Sequence, residues 1–359
     1  MGPMYRLYTC VTPFTDGTCR GSLDFIASPK MPRIEIGNQV EYGMLACSTC
    51  QAQYPVIAGI PILLAKPFAY LRENFSIIDR YLKYAGTPIP QVVKKHLFQV
   101  FLTMLRTPNE PVVQSRKGYE PHFLSCMLQR FLTYYQTYVA DEWSEDFPLA
   151  LPRPEQPDSL SGTLRAWLDA YAAEAKRGLD LGCNLGGYTF EMAGRQIESY
   201  GVDVSFEALH QAMLAARGRG YRFTAGDKHI HKPLEFHKAP CFTIGSAESL
   251  PFTDDSFDVV LSVNIVDILP QPQRMLTEIR RCLRPGGTVI LTTPFMYFGE
   301  GTLALLDTYS GQLEQGLKQL CRSHGFTIAA EKDDIIWRLN EYARKIVLYR
   351  AYGLVLRAG

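Results

Sequence analysis

From Ser159 onward, short apolar runs of strand length alternate with segments whose apolar residues recur every three to four positions. The pattern predicts a helix over Thr163–Lys176, a strand over Gly178–Leu181 and a helix from Tyr188. A second strand follows over Tyr200–Val204, with its helix over Phe206–Ala216. Three more apolar strands are expected at Cys241–Gly245, Phe257–Val263 and Thr288–Thr293. Such alternation builds a parallel sheet with helices on both faces. The end of the chain departs from it. Phe326–Trp337 and Ala343–Leu356 have no helix between them, which predicts an antiparallel pair.

The N-terminal half has a different texture. Residues 1–66 are rich in Gly, Pro and strand formers, and they carry four of the nine cysteines. Residues 67–147 are rich in aromatic and long apolar side chains. Leu97, Phe98, Phe101, Leu102 and Leu105 fall on one helical face within 91–106, as do Leu124, Met127, Leu128, Phe131, Tyr135 and Tyr138 within 121–140. Residues 148–158 are too dense in proline for helix or central strand and form a linker. The expected domains are therefore 1–66, a helical cap at 67–147 that closes over a substrate, the linker, and 159–359.

Composition narrows the function classes. A formal net charge of +1 gives no electrostatic case for nucleic acid or an anionic membrane. The most apolar run, Tyr54–Ala65, is short and interrupted by Gly59 and Pro61, so no membrane span is expected. No signal peptide is evident at the N-terminus, and a cytoplasmic location is expected. Nine cysteines, an odd number in a long chain, suit free thiols plus one metal site better than a disulfide framework.

The most specific chemistry lies in Asp180-Leu181-Gly182-Cys183-Asn184-Leu185-Gly186, followed by Asp203 at the end of the next strand. A Gly-rich turn that opens a helix brings backbone close to a ligand, where a bulky Cβ would block the approach. A dinucleotide-binding turn is G-x-G-x-x-G; this one carries a carboxylate within it. A carboxylate would repel a pyrophosphate but suits the cationic amino group and sulfonium of S-adenosylmethionine.

On these residues the chain resembles the class I S-adenosylmethionine-dependent methyltransferases, particularly the ubiquinone/menaquinone-type group, over about residues 159 to 355. Gly245-Ser246-Ala247-Glu248-Ser249-Leu250-Pro251-Phe252 matches that family's adenine-edge loop. Ser256-Phe257-Asp258-Val259-Val260 matches its fourth strand, and Leu283-Arg284-Pro285-Gly286-Gly287 the turn before its fifth. The resemblance implies an α/β fold with a seven-stranded Rossmann-like sheet whose last strand is reversed. It implies S-adenosylmethionine as cofactor, held by Asp180, Gly182, Cys183, Asn184, Gly186, Asp203, Val204, Ser246, Ala247, Glu248 and Asn264, with Asp203 gripping the ribose hydroxyls. Two departures stand out. Asn184 replaces the middle glycine, and Asn tolerates a left-handed backbone. Ser246 stands where an Asp often receives the adenine amino group.

Cys47-Ser48-Thr49-Cys50, with Cys10 and Cys19 upstream, supplies the four thiolates of a closed structural zinc site. The segment Tyr54–Leu64 and Cys19-Arg20-Gly21-Ser22-Leu23 resemble the small zinc-ribbon family that activates several methyltransferases. Cys10 and Cys19 stand further apart than in that family's first knuckle, so a metal-free β-ribbon with buried thiols is the alternative. A redox dithiol at Cys47 and Cys50 fits less well, because no thioredoxin-like unit surrounds it. Lys228–Lys238 carries three of the seven histidines and is expected to be a solvated surface loop.

If the acceptor must lose a proton, the candidate bases are His96, His122, Asp267 and Tyr297. Near-neutral charge and aromatic helices favour a small, partly apolar acceptor, a specialised metabolite for example, methylated at O, N or C. The zinc-ribbon likeness leaves RNA or a translation factor as the alternative, and a catalytically silent cofactor-binding scaffold as a third. The oligomeric state is left open.

Overall fold

The computed structural model of the protein describes residues 7–14, 17–37, 39–105, 159–218, 220–225, 228–296, 312–342 and 345–359. The expected helix over 121–140 and the linker at 148–158 lie outside these residues, as do His122 and Tyr297.

The N-terminal segment folds as short strands: β1 (Pro13–Phe14), β2 (Gly17–Thr18), β3 (Leu23–Ile26), β4 (Ile34–Ile36), β5 (Gln39–Cys47), β6 (Gln53–Ile57) and β7 (Ile60–Pro61). β5 organises them, pairing antiparallel with β3, β4 and β6. Two helices follow, α1 (Pro67–Tyr84) and α2 (Gln91–Leu105). Proline opens α1, where its missing amide is no loss. Tyr70, Leu71, Phe75, Ile78, Tyr81 and Leu82 form its buried face.

After α3 (Leu160–Tyr171), a large sheet is assembled from β8 (Arg177–Leu181), β9 (Glu198–Asp203), β12 (Cys241–Ile244), β13 (Phe257–Val263), β14 (Leu283–Thr293), β15 (Phe326–Tyr342) and β16 (Lys345–Ala358). Its order is β12-β9-β8-β13-β14-β16-β15. The first five are mutually parallel, and β16 runs antiparallel to both its neighbours. Between these strands lie α4 (Gly187–Gly194), α5 (Phe206–Gly218), α6 (Pro272–Cys282) and α7 (Leu313–Ser323). Strand order reverses beside β8, whose neighbours are β9 and β13. In open α/β sheets that reversal leaves a crevice at the carboxyl ends of the strands.

β12 is an edge strand whose four residues are all buried. The N-terminal segment covers it. Ile62 pairs parallel with Ile244, the Leu63 amide donates to the Ile244 carbonyl at 2.8 Å, and the Thr243 hydroxyl donates to the Pro61 carbonyl at 3.0 Å. The two halves also share their cores. Leu45, Tyr54 and Val56 pack in one cluster with Leu181, Tyr200, Phe252 and Phe257. Met44, Ile57 and Ile78 pack with Leu185, Phe190, Phe206 and Leu209. At the α1–α5 contact, Tyr81 Oη lies 2.9 Å from His210 Nδ1, and burial holds that histidine down at about 4.

Four expectations change. The helix expected at Thr163–Lys176 starts and ends earlier. Ser159 caps it, accepting the Gly162 amide at 3.1 Å, and Asp258 claims the amides of Lys176 and Arg177 at 2.9 and 2.8 Å. The His-rich segment is not a loop throughout: Gly220–Ala225 (β10) and Lys228–Pro233 (β11) form an antiparallel hairpin. β14 begins at Leu283 rather than Thr288, with residues 284–287 bulged out of the ladder and Gly286 at φ 74°. The stripe on α2 is wider than the face it buries. Leu97 and Phe101 are in the core, whereas Phe98 and Leu102 are 51% and 58% exposed.

The edge contact gives a stability test. Leu63 is fully buried in the shared core. Leu63→Ala should cost about 2–5 kcal/mol. Because the core is continuous, unfolding should remain one transition, seen equally by near- and far-ultraviolet circular dichroism.

Candidate functional site

β8 leads directly into the Gly-rich turn. The amides of Gly182 and Cys183 fold back onto the Val202 carbonyl at 2.8 and 3.1 Å. Three residues are left-handed, with Gly182 at φ 69°, Asn184 at 48° and Gly186 at 82°. The glycines serve packing as much as ligand access. A Cβ on Gly182 would lie 2.4 Å from Ile265 Cγ2, and one on Gly186 would lie 2.8 Å from the Phe242 ring. Cys183 is buried beneath the turn.

Two carboxylates stand at this edge. Asp180 is 2% exposed and accepts the Thr189 hydroxyl on Oδ2 at 2.7 Å. Burial pushes its carboxyl up to about 7; the Thr189 hydroxyl opposes that, and the neighbouring Asp203 charge adds to it. Asp203 is half-buried and held from two sides. Its Oδ2 accepts the Asn184 amide at 2.9 Å, and its Oδ1 accepts the Ser205 amide at 2.8 Å. The next residue, Val204, has an exposed side chain, and its carbonyl accepts the Tyr70 hydroxyl at 2.8 Å.

The loop after β12 is a tight turn. The Ser249 amide donates to the Ser246 carbonyl at 3.1 Å, and the Glu248 amide to Ser246 Oγ at 3.2 Å. Ala247 is half-buried at its tip. One oxygen of the Glu248 carboxylate accepts the Gln271 amide at 2.6 Å and secures the start of α6. After β13, Asn264 is left-handed at φ 55°, and its Oδ1 accepts the Thr292 hydroxyl at 2.8 Å. Asp267 is 1% exposed. Its Oδ2 accepts the Met296 amide at 2.6 Å, while its buried Oδ1 has no hydrogen-bond partner among the described residues. Burial pushes this carboxyl up against the pull of the Met296 amide.

The turn residues, Asp203, Asn264 and Asp267 are thus gathered at the carboxyl edge of β8, β9 and β13. His96 is placed differently. Its Nδ1 lies 2.6 Å from the Pro29 carbonyl, in a groove between α1 and α2 lined by Lys30, Lys66, Phe68, Val100 and Met104.

The four N-terminal thiols converge. The Sγ atoms of Cys10, Cys19, Cys47 and Cys50 all lie within 4.8 Å of one another. Cys10 and Cys50 are 3.5 Å apart and Cys19 and Cys47 3.7 Å, too far for disulfides. A tetrahedral zinc with Zn–S near 2.3 Å sets its sulfurs about 3.8 Å apart, so the set fits that ion. Backbone amides already point at the sulfurs: Thr49 and Cys50 donate to Cys47 Sγ at 3.3 and 3.4 Å, and Thr12 to Cys10 Sγ at 3.5 Å. Burial pushes the Cys47 thiol up, but the Cys50 and Thr49 amides outweigh it and bring it to about 7. Burial raises the other three.

Several supporting residues escape a reading of the sequence. Thr189 holds Asp180, Tyr70 holds the Val204 carbonyl, and the Tyr54 hydroxyl sits 3.0 Å from Cys10 Sγ. Arg20, between Cys19 and Gly21, forms a double hydrogen bond with Glu278 of α6 at 2.8 and 2.7 Å. Only Arg20 carried a signal, as a charged residue inside a cysteine knuckle; the others depend on tertiary contacts.

Comparison with known proteins identifies one stretch of the C-terminal half. Residues 179–291 match the family model of the methyltransferase domain. An uncharacterized methyltransferase of Mycobacterium leprae is 25% identical over 176 residues, which is 48% of this chain and 58% of that protein. The fatty-acid O-methyltransferase of Mycolicibacterium smegmatis is 28% identical over 155 residues, 42% of this chain and 50% of that protein. The chain thus spans about half the length of these curated relatives. Among solved structures, a SAM-dependent methyltransferase of Methanosarcina mazei superposes with a TM-score of 0.39 at 20% identity, covering 56% of this chain and 98% of that one. Residues 179–291 are a methyltransferase domain of the S-adenosylmethionine-dependent class.

The raised Asp180 carboxyl has a consequence for stability. It titrates near 7 when folded and near its ordinary value of 3.8 when unfolded. Between these values the folded state binds the extra proton, so stability falls as pH rises through the window and the full cost is present above it. Asp180→Asn should therefore melt at a higher temperature than wild type at about pH 8, by the equivalent of roughly 1–4 kcal/mol. The gap should close as pH falls toward about 4. Thermal melts of the cofactor-free proteins across this range check it.

Proposed function

We propose that the chain transfers the methyl group of S-adenosylmethionine to a small, partly apolar acceptor, and that its four-thiol cluster holds a structural zinc. The observation that carries the first part is the buried Asp180 carboxyl, short of a counter-charge at the crevice of a methyltransferase domain. A cationic amino group is the partner that such a carboxyl lacks. The sulfonium supplies an already activated methyl group, so the protein's part is orientation, desolvation and proton removal.

Asp203 is suited to a ribose. Each of its oxygens accepts one amide, which fixes the plane of the carboxylate. A carboxylate has about four acceptor positions, so this plane can also present one lone pair per oxygen to vicinal hydroxyls. Ala247 and Ser246 would border the adenine. Asp267 is the favoured base among the four candidates, because it is buried at the same sheet edge and its Oδ1 has no partner among the described residues. His96, in the α1–α2 groove, is the weaker choice.

The acceptor class rests on two supports. A net charge of +1 offers no electrostatic attraction for RNA. One relative is a fatty-acid O-methyltransferase, whose acceptor joins an apolar body to a polar group. Zinc is supported by the spacing of the four sulfurs and by the amides aimed at them; four protein thiolates leave no position for substrate, hence the structural role.

Calorimetry with S-adenosylhomocysteine and turnover on candidate acceptors separate the two carboxylates. Asp203→Ala should weaken cofactor binding by about 1–3 kcal/mol through loss of charge-assisted bonds. Asp267→Asn should leave that affinity unchanged and lower turnover by about 100-fold or more. Unchanged affinity in the first variant removes Asp203 from the site.

Elemental analysis of protein purified without added metal should find about one zinc per chain, and none in a Cys47→Ser/Cys50→Ser double variant.

A further inference from the structure

We infer that Arg20 is a positioning residue that couples the thiol cluster to the cofactor's adenine-edge loop, so that metal and cofactor binding assist each other. The inference rests on the zinc and cofactor readings above.

Arg20 lies inside the knuckle, directly after Cys19. Its backbone is left-handed at φ 57°, an unfavourable conformation for a long side chain. The surrounding ladder imposes it: the Arg20 amide donates to the Cys10 carbonyl at 3.1 Å, the Cys10 amide to the Gly21 carbonyl at 2.9 Å, and the Cys19 amide to the Thr12 carbonyl at 3.0 Å. The next residue has no freedom to adjust, since a Cβ on Gly21 would lie 2.5 Å from Cys47 Sγ. The direction in which Arg20 leaves the knuckle is therefore set by how the four sulfurs are gathered.

Outside the knuckle, Arg20 reaches the methyltransferase domain at two residues, Leu250 and Glu278. Its Nη1 donates to the Leu250 carbonyl at 2.5 Å, and its Nη2 grips Glu278, which in turn accepts the Leu250 amide at 2.6 Å. Both polar atoms of the Leu250 backbone are thus held by the Arg20–Glu278 pair. Arg281 completes the set, donating to the same Leu250 carbonyl at 3.1 Å and to Phe252 at 2.7 Å. Tyr8 and Thr9 extend the contact, with the Thr9 amide on the Pro251 carbonyl at 3.0 Å and Tyr8 bridged to Phe252. Leu250 directly follows the turn Ser246–Ser249. The pair is largely buried, at 22% and 10% side-chain exposure, and Nη2 donates charge-assisted hydrogen bonds to both Glu278 oxygens.

A metal that orders the four sulfurs would therefore order Arg20, and through Leu250 the turn that borders the adenine. Linkage makes the effect reciprocal. Arg20 touches neither metal nor cofactor.

The experiment uses the full chain and reads binding rather than turnover. S-adenosylhomocysteine affinity is measured by calorimetry on zinc-loaded and chelator-stripped protein, for wild type and Arg20→Met. Wild type should bind about fivefold or more weakly without zinc, and Arg20→Met should show a ratio within about twofold. A residue with a merely structural role would weaken both states alike and leave the ratio unchanged. Should the stripped protein unfold, the reciprocal measurement serves: zinc competition against a chromophoric chelator with and without saturating S-adenosylhomocysteine, which should shift the wild-type zinc affinity and leave that of Arg20→Met unmoved. Equal cofactor affinity with and without zinc in wild type, or equal zinc dependence in Arg20→Met, overturns the coupling and leaves the cofactor reading standing. A protein that takes up no zinc overturns the coupling and the metal reading together. No binding of S-adenosylhomocysteine to zinc-loaded wild type overturns the cofactor reading as well.

Discussion

An open sheet edge built from four buried residues cannot face water, and β12 is such an edge. Ile62 and Leu63 cover it through a parallel bridge, and much of the remaining architecture follows. Once that pairing forms, the chain enters α1 four residues after Leu63, which brings Tyr70 within reach of the Val204 carbonyl beside Asp203. On the other side, the knuckle lies against the segment that leaves β12, where Arg20 and Thr9 meet Leu250 and Pro251. The strand that ends the large sheet is thus the place where the two halves of the molecule are joined and where the Ser246–Ser249 turn begins.

The crevice is held in a state that is costly without a ligand. Asp180 is ionised only against burial, and Asp267 keeps a buried oxygen without a partner among the described residues. Asp180 lies on β8 between the buried Leu179 and Leu181, and Asp267 lies in the turn after β13, directly behind the buried Ile265 and Val266. The surrounding core supplies the stability that these groups subtract.

What the sequence made visible was whatever depends on local pattern. The alternation of apolar runs located all the parallel strands, because a strand buried on both faces must be apolar throughout. The acid in the turn, Asp203 and the four cysteines were legible because their chemistry requires particular residue types at particular places. Contacts between distant segments were not. Nothing in Pro61-Ile62-Leu63 announces a pairing with β12, and nothing in Glu248 announces that its carboxylate accepts the Gln271 amide. The His-rich segment reads as a loop because charged residues in a two-stranded hairpin show no apolar alternation. The stripe on α2 overstated burial, since apolar character at Phe98 and Leu102 does not by itself say what lies opposite.

The distance between the partners at the sheet edge also bears on how the molecule is made. Thr243 and Pro61 are separated by 182 residues. At ordinary ribosomal speeds the first strands would wait roughly 10 to 35 s for the strand they dock onto. During that interval the four thiols and the apolar face of β5 and β6 are outside the ribosome without their final neighbours. Early capture of a metal ion would gather this segment into a compact knuckle before β12 exists. In a nascent chain of this kind, a metal-loaded cysteine cluster would work as a temporary fastener, guarding an unfinished half until the second half arrives to cover it.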